Sequence, residues 1–529
     1  MADLQKEIEK RRTFAIISHP DAGKTTLTEK FLLYGGAINL AGSVKGRKTA
    51  KHAVSDWMEI EKERGISVTS SVLQFNYDGY CINILDTPGH QDFSEDTYRT
   101  LMAADSAVMV IDGSKGVEAQ TIKLFKVCVM RGIPIFTFIN KMDREANDPF
   151  DLIDEIENVL GIRTCPVNWP IGSGKNFKGV YDRQTQKISR FIAANNGQKE
   201  VDTVEVSLGD PGIDELIGKE NHDILMEEIE LLDGASDALD MERVSKGKLS
   251  PVFFGSALTN FGVQTFLEHF LDMTSSPLPR KAEVGEVSPF SEDFSAFVFK
   301  IQANMNKAHR DRIAFMRICS GKFEAGMEVY HTQGQKKVRL SQPQQMMAQE
   351  RKHVEEAYAG DIIGVFDPGI FSIGDTLCKV GKKIEYEGIP TFAPEHFAKV
   401  RQVDTMKRKQ FIKGIEQIAQ EGAIQIFQEF NTGMEEIIVG VVGVLQFDVL
   451  KYRLENEYNV EIRMEPLPYE HIRWIVNKEI DVAGLSVTSD TKRIKDLKGN
   501  PLLLFSHPWS VKTVLDRNEG LELSEFGNW

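Results

Sequence analysis

The 529-residue sequence predicts a multidomain protein: an α/β domain carrying an inserted subdomain (residues 1–276, insertion about 151–247), then a β-barrel domain (285–387) and an α+β domain (390–529). Three observations carry this reading. Apolar, strand-like runs at 14–17, 80–85, 133–139 and 251–254 each end in a short polar loop, the layout of a parallel sheet flanked by helices. Two prolines in Ser275-Ser276-Pro277-Leu278-Pro279-Arg280 then stop a helix and stiffen the join. Beyond that linker the chain breaks into short runs without helical spacing, and after about Pro390 strands and helices mix again.

The loop after the first run reads Ser18-His19-Pro20-Asp21-Ala22-Gly23-Lys24-Thr25-Thr26, and a helical pattern continues from it to Tyr34. Strand, small-residue loop and helix in that order build a phosphate site, because backbone N–H groups converge and the helix start adds its positive dipole end. Lys24 is placed to neutralise charge between β and γ phosphates, and the Thr25 hydroxyl to ligate Mg²⁺. Ser18 stands where the usual pattern has its first glycine; serine is small enough for the loop to close. An ordinary surface loop can read this way, and the stations downstream weigh against it.

The run 80–85 is closed by Asp86-Thr87-Pro88-Gly89-His90. A carboxylate at a strand end can hold Mg²⁺ through water, and Gly89 offers an N–H to a γ-phosphate with no side chain in the way. The run 133–139 ends in Asn140-Lys141-Met142-Asp143. Guanine presents N1–H and the N2 amine side by side, so the Asp143 carboxylate accepts two hydrogen bonds from it, whereas adenine turns an acceptor toward that position. Asn140 orients the loop, and the Lys141 stem covers the purine. Gly255-Ser256-Ala257-Leu258 follows the run 251–254, where its backbone meets the guanine O6. Stations in this order at strand ends specify an α/β P-loop domain for GTP or GDP. More residues separate Asp143 from Ser256 than one helix and one strand need, hence the insertion; its apolar content argues against a disordered loop.

Residues 55–67, S-D-W-M-E-I-E-K-E-R-G-I-S, lie between the first two stations. With S-H-P-D-A-G-K-T-T, D-T-P-G-H and N-K-M-D, this segment resembles the translational GTPase superfamily, which includes elongation factors G and Tu. Further stretches at 171–174 with 177–181, 309–312 with 315–317, 353–358 and 440–449 make the chain most similar to the bacterial class II release factors within it. The resemblance covers nearly the whole chain and is weakest after about Tyr469. It implies that Ser67 supplies a second Mg²⁺ hydroxyl, where the family usually has threonine, with Thr69 as substitute. It implies that His90 positions the attacking water, that the 70S ribosome stimulates hydrolysis, and that the output is dissociation and recycling of class I release factors. An elongation factor G-like translocase would continue for two further domains, and a ribosome-rescue GTPase stays open. A nucleotide-sensing module with negligible hydrolysis is disfavoured by His90, and an ATP-driven motor by Asp143.

Composition bounds the partners. Forty-one per cent apolar residues supply ample core, and no run approaches the roughly 18 apolar residues of a membrane span. The charged amino terminus has no signal-type apolar core, and five cysteines without C-x-x-C spacing point to a reducing cytoplasm without disulfides or zinc. Neither membrane nor DNA is an expected partner. A net charge of −15 argues against bulk electrostatic holding on nucleic acid, so RNA contact must be local. Lys307 to Arg317 and Lys407-Arg408-Lys409 with Lys413 are the candidate basic spots.

Beyond the linker, short strands are expected at 294–301, 313–319, 328–331, 337–340, 361–366 and 376–380, which suggests the barrel. In the last domain 438–442, 445–457 and 460–464 read as a β-α-β unit, with Leu445, Val449, Tyr452 and Leu454 facing inward.

Overall fold

The computed structural model describes residues 2–36, 71–87, 94–192, 202–303, 312–341, 344–347, 350–389, 391, 393–430, 437–477, 479–525 and 527. The first eleven strands are β1 (Arg11–Ser18), β2 (Ser71–Tyr77), β3 (Tyr80–Asp86), β4 (Ser106–Asp112), β5 (Ile135–Asn140), β6 (Arg163–Pro166), β7 (Asn168–Ile171), β8 (Gly179–Asp182), β9 (Lys187–Ile192), β10 (Asp202–Ser207) and β11 (Leu249–Phe254). Seven form the central sheet in the order β2-β3-β1-β4-β5-β11-β6, parallel except for β2.

Helices on both faces explain why β4 and β5 read as unbroken apolar runs: every residue of both is buried. Alternate residues sort to opposite sides. Ala107, Met109 and Ile111 join one core with Leu124 and Ile156, while Val108 and Val110 join another with Phe31, Phe266 and Phe270. Phe270 meets Phe14 at 4.6 Å and Phe136 at 4.8 Å, both edge-on, which seats the helix Val263–Met273 against β1 and β5. Each such pair contributes about 0.5–1.5 kcal/mol beyond its buried area.

The insertion is a four-stranded antiparallel sheet, β7 to β10, covered by the helix Lys219–Ala235. Trp169 is fully buried there and donates from Nε1 to Glu228 (2.9 Å). The range 151–247 expected for this subdomain is too wide at its start. The helix Pro149–Leu160, capped by Asp148, packs on the central sheet, and β6 pairs with β11 as the seventh strand. Four residues that include an arginine, a cysteine and a proline give β6 too short a pattern to read.

The second domain is an eight-stranded antiparallel sheet curled round one core, including Val298, Met316, Phe323, Ile363 and Leu377, with a small ribbon of Lys322–Glu324 and Glu356–Tyr358. Strands occur at Ser295–Ala303, Arg312–Ser320, Glu328–His331, Lys336–Arg339, Ile362–Phe366 and Thr376–Lys379, matching the six expected runs. The third domain holds a second eight-stranded antiparallel sheet. Its β-α-β unit is Ile437–Val441, Leu445–Tyr458 and Ile462–Leu467, the two strands flanking His396–Gln402. Val449 and Leu454 are buried as expected; Leu445 and Tyr452 are only half-buried, and Leu450 takes the remaining core position.

Buried polar contacts join the domains. Arg11 pairs with Asp361 (2.8 Å), whose other oxygen accepts from Gln74 and Asn83 (both 3.2 Å). The helix Ser94–Leu101, just beyond Asp86-Thr87, is held by the third domain: Arg99 pairs with Glu95 and donates to the Gly422 carbonyl (2.8 Å). Gly422 has φ 77°, and a Cβ there would fall 1.6 Å from Arg99 Nη1. Gly422→Ala must therefore strain the backbone and push Arg99 off buried Glu95. We expect a loss of about 3 kcal/mol, measurable as a lower midpoint in thermal unfolding; an unchanged midpoint would remove this contact from the stability of the molecule.

All five cysteines are free and buried. Burial pushes the Cys81 and Cys128 thiols up to about 12 and that of Cys165 up to about 11. Among the described residues no helix is long and apolar enough to cross a membrane.

Candidate guanine-nucleotide site

The described parts of the site gather at the carboxyl ends of β1, β3, β4, β5 and β11, where α/β sheets place ligands. β1 ends at buried Ser18, opposite Val110 of β4. The chain passes half-buried His19 and Pro20 to exposed Asp21 (φ 65°), and a hydrogen bond from Ala22 N to His19 O (3.3 Å) closes the turn. Gly23 has φ 103°, and a Cβ there would lie 2.2 Å from Asn140 Nδ2, so both the backbone and the close approach require glycine. The helix Lys24–Tyr34 starts at once, leaving the amides of Lys24, Thr25 and Thr26 in a first turn with no intrahelical acceptors. Lys24 is buried and reaches Asp86 Oδ1 at the end of β3, itself buried. Thr25 is partly exposed, and Thr87 donates to Ile16 O (2.8 Å), tying the end of β3 to β1. Pro88, Gly89, His90, Ser67 and Thr69 lie outside the described residues.

One side chain ties the phosphate loop to the base loop. Asn140 donates from Nδ2 to Ala22 O (2.8 Å) and accepts at Oδ1 from Ala257 N (2.8 Å). Lys141, at φ 70°, sends its stem back over the phosphate loop, donating to Asp21 O (2.5 Å) and Asp112 Oδ2 (2.6 Å). Met142 is buried and donates its N–H to Gly255 O (3.1 Å). Asp143 accepts from Ser256 Oγ (2.6 Å), which fixes its carboxylate beside Ala257 and half-buried Leu258.

Three supports were not read from the sequence. Asp112 ends β4 and anchors both Lys141 and the Ser114 hydroxyl (2.7 Å). Burial alone would raise its carboxyl, but the hydrogen bonds from Lys141 and Ser114 more than reverse that and hold it below the usual range. The signal for it is the one used for Asp86, a carboxylate closing an apolar strand. Gly174 N, in the Gly-rich turn after β7, donates to Met142 O (2.8 Å), so the inserted sheet braces the base loop. Glu118 lies 3.4 Å from His19 Nε2. Of the basic spots, Arg312 and Arg317 are buried in pairs with Asp367 (2.6 Å) and Asp105 (2.5 Å) and so cannot face RNA, whereas Arg408, Lys409 and Lys413 are exposed.

Comparison with known proteins bears on the whole chain. Residues 9–276 match the elongation factor Tu GTP binding domain, 293–380 the elongation factor G domain 2, and 386–515 the class II release factor RF3, C-terminal domain. A peptide chain release factor 3 from Symbiobacterium thermophilum is 60% identical over 521 residues, covering 98% of each chain. The chain belongs to the peptide chain release factor 3 family. A second release factor 3, from Gloeobacter violaceus, is 55% identical over 99% of this chain and 98% of its own length. A crystal structure of a Thermus thermophilus protein superimposes with a TM-score of 0.69 at 22% identity, over 92% of this chain and 72% of that one, which bears on the fold alone. As a member of the release factor 3 family the protein is a GTPase, and the three family models match its three domains in turn.

Proposed function

We propose that this GTPase acts on the 70S ribosome in a bacterial-type cytoplasm to drive class I peptide chain release factors off after termination, recycling them for another round. Membership of the release factor 3 family over the full chain is the observation that carries this.

The residues at the strand ends fit a guanine nucleotide with Mg²⁺. The first-turn amides after Gly23 offer donors to phosphate oxygens, and Lys24 is poised by Asp86 where triphosphate charge needs it. Asp143, aimed by Ser256, accepts from the guanine N1–H and N2 amine; Asn140 keeps phosphate and base loops at a fixed separation. Thr25 and Ser67 would hold Mg²⁺ directly and Asp86 through water. When bound, that ion neutralises charge on the β and γ oxygens. His90 orients the attacking water, and Gly89 senses the γ-phosphate. Loss of the γ-phosphate removes the group that Gly89 senses, and the Arg99–Gly422 contact links the helix Ser94–Leu101 to the third domain, so that the change can pass to it.

A labelled class I release factor on a post-termination ribosome tests the reading. GTP with this protein should speed its departure at least tenfold over ATP, and a non-hydrolysable GTP analogue shows whether binding or hydrolysis drives the exit. His90→Ala should bind GTP normally yet lose ribosome-stimulated hydrolysis by about 10²-fold or more. Stimulated GTPase activity without faster departure would move the protein to translocation or ribosome rescue.

A further inference from the structure

We propose that strand β7 of the inserted subdomain belongs to the guanine-reading apparatus, with Asn168 and Gly174 as positioning residues that hold the two base loops around Asp143. This rests on Asp143 as the reader of the base. β6 ends at Pro166 while β11 runs on to Phe254, and the chain after β6 turns away into the inserted sheet. Val167 N still donates to Val252 O (2.8 Å), and the Asn168 side chain then replaces the missing neighbour: Nδ2 donates to Phe254 O (3.1 Å) and Oδ1 accepts from Phe254 N (2.7 Å). One amide thereby satisfies both backbone groups of the residue that precedes Gly255-Ser256. At 3% exposure it does so where an unpaired peptide group is costly.

The far end of β7 reaches the other base loop. Gly172 (φ 73°) and Gly174 (φ 60°) turn the chain, and Gly174 N donates to Met142 O (2.8 Å) while Met142 N donates to Gly255 O (3.1 Å). The residue directly before Asp143 is thus tied through both of its backbone groups. A Cβ on Gly174 would stand 3.5 Å from the Arg144 carbonyl carbon and the Glu145 nitrogen, so the turn also lies against the backbone that follows Asp143. Lys141, at φ 70°, holds a conformation that L residues adopt only at a cost, and it persists because its surroundings brace it. The platform is itself fixed: Asp182, opposite Asn168 in β8, lies 2.6 Å from His269 Nε2 of the helix Val263–Met273. Loosening β7 should therefore fall on recognition of the base rather than on the phosphates.

The test titrates the nucleotide-free full chain with GTP and with inosine triphosphate, which keeps the N1–H of guanine but lacks its N2 amine. Asn168→Ala should bind GTP about tenfold more weakly. Inosine triphosphate should lose less, so that the preference for GTP shrinks at least about threefold. In ribosome-stimulated hydrolysis KM should rise while kcat stays within about twofold of wild type. Gly172→Ala, whose Cβ would overlap the Asn176 carbonyl oxygen, opens the turn that carries Gly174 and should give the same pattern; it carries the test if Asn168→Ala does not fold. Glu228→Ala removes the acceptor of Trp169 Nε1 inside the inserted subdomain and controls for destabilisation alone, with the preference for GTP unchanged. Unchanged GTP affinity, equal losses for both nucleotides, or a loss of preference in Glu228→Ala as large as in Asn168→Ala overturns the proposal, since β7 would then only support the fold. Asp143→Asn alongside separates the two readings: a switch to XTP with the GTP preference intact in Asn168→Ala overturns the role of β7 alone, whereas no switch overturns the base reader and this proposal with it.

Discussion

Lys24→Ala should lower GTP affinity by two to three orders of magnitude. Lys24 and Asp86 are 5% and 2% exposed, so the ammonium is held in a medium where charge interactions are strong and poorly screened. Removing it takes away the cation proposed to meet the β and γ phosphates and leaves Asp86 buried without its partner. Breaking a buried pair costs about 3–5 kcal/mol of stability; a loss of about 3–4 kcal/mol in binding is a 10²–10³-fold change in the constant. Both consequences act in the same direction, because an unpaired carboxylate also repels the incoming triphosphate. Equilibrium titration with a fluorescent GTP derivative measures the effect, and thermal unfolding of the nucleotide-free variant separates lost binding from lost folding. Affinity within threefold of wild type would mean that the phosphates lie elsewhere.

Asp143→Asn should exchange guanosine for xanthosine selectivity. In the proposed site the carboxylate offers two acceptors to the N1–H and N2 amine of guanine. The amide turns one of them into a donor, which faces the guanine amine unfavourably and suits the oxygen that xanthine carries at that position. A site built around a hydrogen-bonded group discriminates by roughly 10⁴–10⁵ against a ligand that leaves that group unpaired. The substitution is a clean probe because Asn keeps an oxygen at the Oδ1 position, where Ser256 Oγ donates; the loop need not rearrange. Competition of GTP and XTP for the same site reads out the switch. If GTP affinity is unchanged, Asp143 does not read the base.

The nucleotide loops were legible because each is a short, chemically specific string fixed to the end of a strand whose apolar run is itself visible. Gly23 shows the limit of that legibility. Its left-handed backbone belongs to the loop pattern, but the Asn140 amide that would meet a Cβ comes from a residue over a hundred positions away, and only the fold brings them together. Asp112 was missed for a different reason: its strand was not singled out, although it ends as β3 does. β6 is too short and mixed to show a period. In the barrel, short runs without helical spacing located the strands, while the partners that curl the sheet, such as Arg312–Ser320 against Ile362–Phe366, depend on long-range pairing that no local string encodes. The last sixty residues carry no motif, yet those described fold into four further strands and the helix Pro508–Arg517 over a core of their own. Their apolar runs are core and nothing more specific, so they state where the chain packs without stating what it touches.

The buried state of every native thiol makes the molecule ready for site-specific chemistry. Alkylation and maleimide coupling proceed through the thiolate, and the raised ionisation of Cys81, Cys128 and Cys165 removes that species at neutral pH even where a reagent could enter. A cysteine introduced at Met406, 88% exposed on the third domain, would be the sole fast-reacting handle without any prior removal of native cysteines. A dye placed there, paired with one on the ribosome, would report the domain's travel through a turnover as a change in energy transfer in a chain whose interior is left intact.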